Sequence, residues 1–183
     1  FIRQYGWEPS QVGVAYGAIL LFGATPGVLV GGWLTDKLSA RGRKDAPLYA
    51  AVLALILALP FAIATPYMPN ATLALGGLAV FSFFAGVMNS LPATALQAVS
   101  PNQLRAQVTA IYFLIGNLIS LGLGPTVVAA LSDRLLGGSQ HIGQALGIVS
   151  GVTLAVAIAL LIRTLPAYRA SVDEAAAWQG HSK

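Results

Sequence analysis

Four long stretches of the chain contain no acidic or basic residue, and the segments around them hold the charges. The uncharged stretches are residues 9–35, 46–104, 106–132 and 135–162. A helix that crosses the hydrocarbon core of a membrane needs roughly 20 mostly apolar residues. Three stretches are therefore predicted to contain one span each and the longest to contain two. The pattern predicts an all-α membrane protein with five transmembrane helices.

The longest stretch is divided at residues 65–70, where two prolines and an asparagine predict a turn at the membrane surface. Residues 1–10 are interpreted as an external turn that follows a helix cut away from this chain, because the first residue is Phe1. Residues 164–183 are predicted to form a cytoplasmic carboxyl tail. The predicted spans are about 11–34, 47–66, 72–96, 106–131 and 143–163.

The composition excludes an ordinary soluble domain. Only 9% of the residues are charged and 56% are hydrophobic, with a mean hydropathy of +0.74, whereas soluble domains carry about 25% charged residues. The net charge of +4 would suit a nucleic-acid partner, but the basic residues lie at the ends of spans instead of on one surface. The sequence has no cysteine, so it has no thiolate metal site. No cofactor, metal or nucleic acid is predicted.

The basic residues also predict the orientation of the chain. With five spans, alternate loops face opposite sides of the membrane, and only Arg3 and Arg134 fall on one of them. The positive-inside rule makes the more basic side cytoplasmic. We therefore expect a plasma-membrane protein, in a bacterium the inner membrane, with its amino end outside and its carboxyl end cytoplasmic. The basic residues on the predicted cytoplasmic side are Lys37, Arg41, Arg43, Lys44, Arg105, Arg163, Arg169 and Lys183.

Glycine recurs at a spacing of four in the first predicted span. Gly13 and Gly17 are followed by Gly23, Gly27 and Gly31. Glycines at this spacing form a flat stripe that lets a neighbouring helix approach closely in a membrane. The alternative interpretation is a smooth wall of a permeation path.

Proline interrupts four of the predicted spans. Each proline removes a backbone hydrogen bond and tends to kink its helix, so these positions shape the helices or act as hinges. In the fourth span the proline directly follows Gly124. The four prolines are Pro26, Pro60, Pro92 and Pro125.

Polar side chains are few inside the spans, and no span carries a charged or histidine side chain near its middle. Proton relays and ion sites normally need such a residue, so a coupling carboxylate is not expected in this sequence. Asn89 and Asn117 are expected to point inward, because an amide in hydrocarbon needs a partner or a wet cavity. Hydrogen bonding between helices and contact with a solute both fit these residues.

A block of charge at residues 31–45 separates the first two spans. Its first charged residue, Asp36, lies at the carboxyl end of a predicted helix, where a carboxylate opposes the helix dipole. Asp36 therefore needs a partner. Arg105 and the amino end of the fourth span are predicted on the same side of the membrane and would provide one.

This block resembles the signature loop of the major facilitator superfamily, G-x-x-x-D-[RK]-x-G-[RK]-[RK]. Gly32, Asp36 and Lys37 match it directly, and residues 42–44 match after a three-residue insertion. The loop follows the second helix of that family and occurs again, less well kept, after the eighth. The insertion favours the second copy. Residues 100–106 and 116–133 look most like the spinster-like or the sugar-acid and organic-anion branches.

The resemblance implies that the five spans are helices eight to twelve of a twelve-helix fold, without the seventh helix and the amino-terminal half. The family binds its solute near the membrane midplane between the two halves. By matching helices, the candidates for lining the solute cavity are Tyr16, Thr25, Asn89, Tyr112 and Asn117. Helix packing and hinge roles are expected for Gly23, Gly27, Gly31, Pro92, Gly124 and Pro125.

The implied function is secondary active transport of a small solute by alternating access. The solute would be an organic anion, a sugar acid, or a lipid-like or drug-like molecule, and no chemistry on it is expected. The alternative is a non-transporting multi-pass subunit that serves assembly or sensing; a half-size transporter that dimerises is disfavoured by the odd number of spans. The resemblance further implies a cytoplasmic latch formed by Gly32, Asp36, Lys37, Arg41, Arg43 and Arg105.

Overall fold

The computed structural model describes residues 1–134 and 142–181, which form seven α-helices and no strand. A π-helical segment, Leu20–Ala24, joins the second helix to the third, and a short 3-10 turn, Thr65–Tyr67, follows the fourth. The helices are α1 (Ile2–Tyr5), α2 (Pro9–Ile19), α3 (Thr25–Ala40), α4 (Ala46–Ala64), α5 (Ala71–Val99), α6 (Arg105–Arg134) and α7 (Ile142–His181).

Five helical segments in this part of the chain are long and apolar enough to cross a membrane. The shortest has 22 residues, which is about 33 Å at the rise of an α-helix and exceeds a hydrocarbon core of about 30 Å. The predicted all-α fold with five transmembrane helices is confirmed. The segments are Pro9–Ala40, Ala46–Tyr67, Ala71–Val99, Arg105–Asp133 and Gly143–Ala175.

The helix ends follow from local chemistry. The Asn70 side chain caps α5, because its Oδ1 accepts a hydrogen bond from the backbone N–H of Leu73 at 3.0 Å. The turn after α3 contains Gly42 with φ of 82°, a left-handed conformation that favours glycine. This tight turn lets α4 begin at Ala46 and run back beside α3.

The core lies around α4, which packs against α5 and α7. Its buried face carries the small residues Ala50, Ala51 and Ala54, and these contact Val87 and Leu91 of α5. Small side chains let helix axes come close together, which is how helices associate where lipid supplies no hydrophobic driving force. The alanines therefore make α4 the central helix of the bundle.

The outer helices leave large apolar surfaces uncovered. None of the most apolar stretch of α6 is buried by the rest of the described chain, and Leu114, Leu118 and Leu121 are more than half exposed. A bilayer or another part of a protein solvates such surfaces, whereas exposure to water would cost about 25 cal/mol for each Å².

The two ends of the bundle differ in chemistry. We call the end with residues 41–45 and 100–104 the charged end. At the opposite end, the Tyr5 hydroxyl donates a hydrogen bond to the carbonyl oxygen of Met68 at 2.6 Å.

Helix α7 has 40 residues, about 60 Å, so it continues past the charged end through the residues predicted as a tail.

Candidate functional site

Helices α3 and α5 approach each other at glycines on both partners. A Cβ atom added to Gly27 would lie 3.0 Å from the carbonyl carbon of Phe83, and one added to Gly86 would lie 2.9 Å from that of Ala24. At Gly31 the added atom would lie 2.9 Å from the carbonyl oxygen of Val87. The two backbones therefore touch, and this crossing fixes the position of the first span against the third.

The π-helical segment Leu20–Ala24 lies directly before this crossing. Thr25 closes it, because both its backbone N–H and its Oγ1 donate to the carbonyl oxygen of Leu20, the side chain at 3.2 Å. Pro26 follows and has no N–H to donate. π-Helical turns often occur at functional sites, and this one lies where a helix lines an open groove.

The groove runs between the first span and α5. It has a volume of about 500 Å³ and an almost entirely apolar lining, which includes Phe22, Gly23, Val80, Phe83 and Phe84. Its size is within the range of about 300–1,000 Å³ that is typical of small-molecule sites. It is open on one side, so the described chain forms one wall of it.

The five predicted lining residues all lie on exposed surfaces of the bundle. Tyr16 is 49% exposed and Tyr112 is 43% exposed. The Asn117 amide donates to the carbonyl oxygen of Phe113 in its own helix at 2.8 Å, and the side chain of Asn89 makes no hydrogen bond with the described residues. No hydrogen bond or ring contact joins any two of the five residues within the described chain. Thr25 and Asn89 lie on helices that touch, whereas Tyr112 and Asn117 lie on the loosely covered α6.

The predicted packing and hinge residues fall into two environments. Gly23, Gly27 and Gly31 lie against α5. Pro92 is half-buried inside α5. Gly124 and Pro125 lie on an uncovered face of α6, where a side chain added to the glycine would meet open space.

The predicted latch residues are at the charged end, but the expected ion pair between Asp36 and Arg105 is not formed. Asp36 is exposed and pairs with no cation in residues 1–134 and 142–181. The Arg105 guanidinium instead donates to the carbonyl oxygen of Ser100 at 3.2 Å, within the turn that precedes α6. Lys37 lies 4.4 Å from the centre of the Trp33 ring. Arg41 is exposed, and Gly32 faces open space.

A different carboxylate, that of Asp45, gathers the cations at this end. Its side chain is only 3% exposed, and it accepts hydrogen bonds from Arg43 Nε at 3.4 Å and from Arg169 Nη2 at 2.6 Å. Burial acts to raise the pKa of Asp45, but the hydrogen bonds from Arg169 and Arg43 outweigh it and hold the pKa below its ordinary value. Asp45 is therefore ionised at neutral pH.

Sequence reasoning missed Asp45 because its main partner is far away in the chain. Arg169 follows 124 positions later, and only the packing of α7 against α4 brings the two together. The local sequence did contain one indication, because Asp45 directly precedes α4, and the positive amino end of a helix dipole stabilises an anion. Among the described residues, no group of three or more acidic, histidine or cysteine side chains is arranged to hold a metal ion.

The fold and the uncharged spans agree with the comparison to known families. The family model described as Major Facilitator Superfamily matches residues 1–180. The chain belongs to the major facilitator superfamily. No curated protein and no solved structure gives a significant match. Membership in this superfamily makes the chain a multi-pass membrane protein whose general function is the transport of a solute across a membrane.

Within the major facilitator superfamily, the solute site lies between two helical halves near the membrane midplane. Some polar side chains of the described spans lie on exposed faces of the bundle, whereas Thr35 and Ser82 are buried. In small-molecule sites, polar groups of this kind fix the orientation of a ligand and an apolar lining supplies most of the contact.

Proposed function

We propose that the protein is a secondary active transporter that works by alternating access, and that this bundle forms helices eight to twelve of a twelve-helix fold. The solute is a small organic anion, sugar acid, or lipid-like or drug-like molecule. One observation supports this proposal most directly: uncharged spans present exposed polar side chains on faces that the bundle itself leaves uncovered. A second helical half of the same protein would cover these faces.

In this proposal the solute contacts Tyr16 and Thr25 from the first span, Asn89 from the third, and Tyr112 and Asn117 from the fourth. Of the two amides, Asn89 is the more available, because its side chain makes no hydrogen bond within the described residues, whereas that of Asn117 donates to Phe113. An amide without a partner in a low-dielectric site is costly. A solute that accepts or donates a hydrogen bond there would remove that cost.

The experiment is transport by the full-length protein in proteoliposomes, with a panel of radiolabelled organic anions, sugars and drug-like cations. Once a solute is found, Asn89→Ala and Asn117→Ala should each lower its uptake by at least about tenfold, the factor that corresponds to one lost hydrogen bond of about 1.4 kcal/mol. Asn102→Ala is the matched control, because Asn102 is an exposed amide in the loop between α5 and α6.

Three results are informative in that assay. Loss of uptake in the two span variants with normal uptake by Asn102→Ala supports the site. Equal uptake by all three variants refutes these solute contacts. Absence of uptake or efflux for every solute, in protein that is folded and correctly inserted, favours the non-transporting alternative.

The cytoplasmic latch remains part of the proposal. With the charged end on the cytoplasmic side, exposed Asp36 is free to bind a cation in a conformation in which the two halves close on that side. If Arg105 is that cation, Asp36→Arg combined with Arg105→Asp restores the transport that either single substitution abolishes. No recovery in the double variant, at equal surface expression, would count against this pairing.

A further inference from the structure

Four segments of the chain meet around Asp45 at the charged end. Asp45 itself directly precedes α4, and Arg43 belongs to the turn after α3, where its guanidinium lies 3.8 Å from the centre of the Tyr49 ring. Arg169 reaches Asp45 from α7 at 2.6 Å. The neighbouring Tyr168 hydroxyl donates to the carbonyl oxygen of Ala95 in α5 at 3.1 Å. One cluster therefore ties α4, α5 and α7 together.

This cluster lies close to the proline inside α7. Pro166 lies inside α7 and removes a backbone hydrogen bond from the helix, which favours a bend at that point. Tyr168 and Arg169 come two and three positions later, so they hold the part of the helix that such a bend would release. Beyond them the helix continues to His181, and its only other ion pair in the described chain joins Lys44 to Asp173 at 2.5 Å.

The two ion pairs differ in the cost of opening. Releasing Arg169 would leave the 3%-exposed carboxylate of Asp45 with Arg43 alone at 3.4 Å, and a buried charge without a good partner is strongly unfavourable. Lys44 and Asp173 are both more than half exposed, so water replaces that pair readily. The Asp45–Arg169 pair is therefore suited to staying closed, whereas the Lys44–Asp173 pair can open at little cost.

We propose that Asp45, Arg169 and Tyr168 form a permanent clasp that holds the segment of α7 beyond Pro166 against α4 and α5 in every state of the transport cycle. The proposal rests on the proposed alternating-access function, because a permanent contact differs from a transient one only where the protein changes conformation. In this proposal the charged end contains two kinds of contact. Asp36 binds a cation in one conformation and releases it in another, whereas the clasp stays closed in both.

The first test measures the clasp without measuring transport. In the full-length protein, with any native cysteines outside this chain replaced, spin labels are placed at Gln97→Cys on α5 and Glu174→Cys on α7, two exposed positions outside the clasp. We expect one narrow distance distribution by pulsed electron paramagnetic resonance. Arg169→Ala should increase the width of this distribution at least twofold. Arg169→Lys should give a width close to that of the wild type, and Lys44→Ala should leave the width unchanged.

The second test asks whether the clasp opens during transport. Lys44→Cys and Asp173→Cys are joined by a short bifunctional methanethiosulfonate, which a reductant removes. We expect transport by the cross-linked protein to stay within about twofold of the rate after reduction, a change that corresponds to less than about 0.5 kcal/mol. Cross-linking that stops transport reversibly would show that the clasp must open, and would overturn the proposal.

The two tests separate this proposal from the proposed function. A narrow label distance that Arg169→Ala does not change overturns the clasp, whatever the protein transports. A protein that transports nothing before cross-linking fails as a transporter while the label distances still report on the clasp. If Arg169→Ala fails to fold, Tyr168→Phe keeps the test available, because it removes only the hydrogen bond to Ala95 and should broaden the distribution partially; no broadening counts against the clasp.

Discussion

Replacement of Gly86 by alanine should destabilise the protein by pushing α5 away from the first span. The added Cβ would lie 2.9 Å from the carbonyl carbon and 3.0 Å from the Cα of Ala24. Both are backbone atoms, so no side-chain rotation relieves the overlap. Overpacking of this kind typically costs about 1–3 kcal/mol, and the higher helix propensity of alanine returns up to about 1 kcal/mol. We expect a net loss of about 1–2 kcal/mol.

The matched control is Gly76→Ala on the same helix. An added Cβ at Gly76 meets nothing within 4 Å, so this variant keeps the gain in helix propensity without the overlap. Thermal unfolding of the purified protein in detergent distinguishes the two. At about 2–4 °C for each kcal/mol in a chain of this size, Gly86→Ala should unfold about 2–8 °C below the wild type, and Gly76→Ala at or above it.

The crossing geometry also predicts how two substitutions combine. Gly27→Ala would collide with the carbonyl carbon of Phe83 at 3.0 Å, on the other side of the same crossing. Once one substitution has separated the helices, the second meets less resistance, so their costs should add to less than their sum. Equal shifts in Gly86→Ala and Gly76→Ala would refute the reasoning, because the close backbone contact would then not exist.

Three further predictions concern the charged end and a helix cap. Arg169→Ala should lower the free energy of unfolding by about 2 kcal/mol, which is less than the loss of a fully buried pair because Arg169 is half exposed. Lys44→Ala should change the free energy of unfolding by less than about 1 kcal/mol. Similar losses in the two variants would contradict the ranking of the two ion pairs. Folding lowers the pKa of Asp45, so the contribution of Asp45 to stability is present above about pH 4 and is lost as the pH falls below that value. The unfolding temperatures of the wild type and Asp45→Asn should therefore converge only in acid. A difference that stays constant down to about pH 3 would count against this role of Asp45. Asn70→Ala should cost about 1 kcal/mol through loss of the α5 cap, measured by thermal unfolding against Asn102→Ala, and no difference between them would show that the cap is not needed.

The spans could be predicted from the sequence because a membrane excludes charge, so the uncharged stretches mark the helices directly. The glycine stripe was only partly readable. Gly27 and Gly31 face α5, but Gly13 and Gly17 face open space. The π-helical segment between the two groups adds one residue to a turn, so positions before and after it do not share one helical face. The residue types at positions 20–24 do not predict this insertion.

The charged end shows why side-chain partners are harder to predict than helices. Both Asp36 and Asp45 lie beside the same turn, and the sequence favours a partner for Asp36 because its position opposes the helix dipole. The structure instead buries Asp45 beside Arg169. That choice depends on where α7 packs, which is a property of the whole bundle and not of residues 31–45.

The π-helical segment has a consequence for how this protein can change over time. A turn with one extra residue tolerates the deletion of that residue, since the helix then closes into an ordinary α-helical turn. Such a deletion at Leu20–Ala24 would leave Tyr16 and the glycine crossing on their present faces, whereas deletion of a residue from a regular α-helical part of the span would rotate one part of the helix by about 100°. The first span can therefore lose one residue at this segment without a change in which of its side chains face each side of the helix.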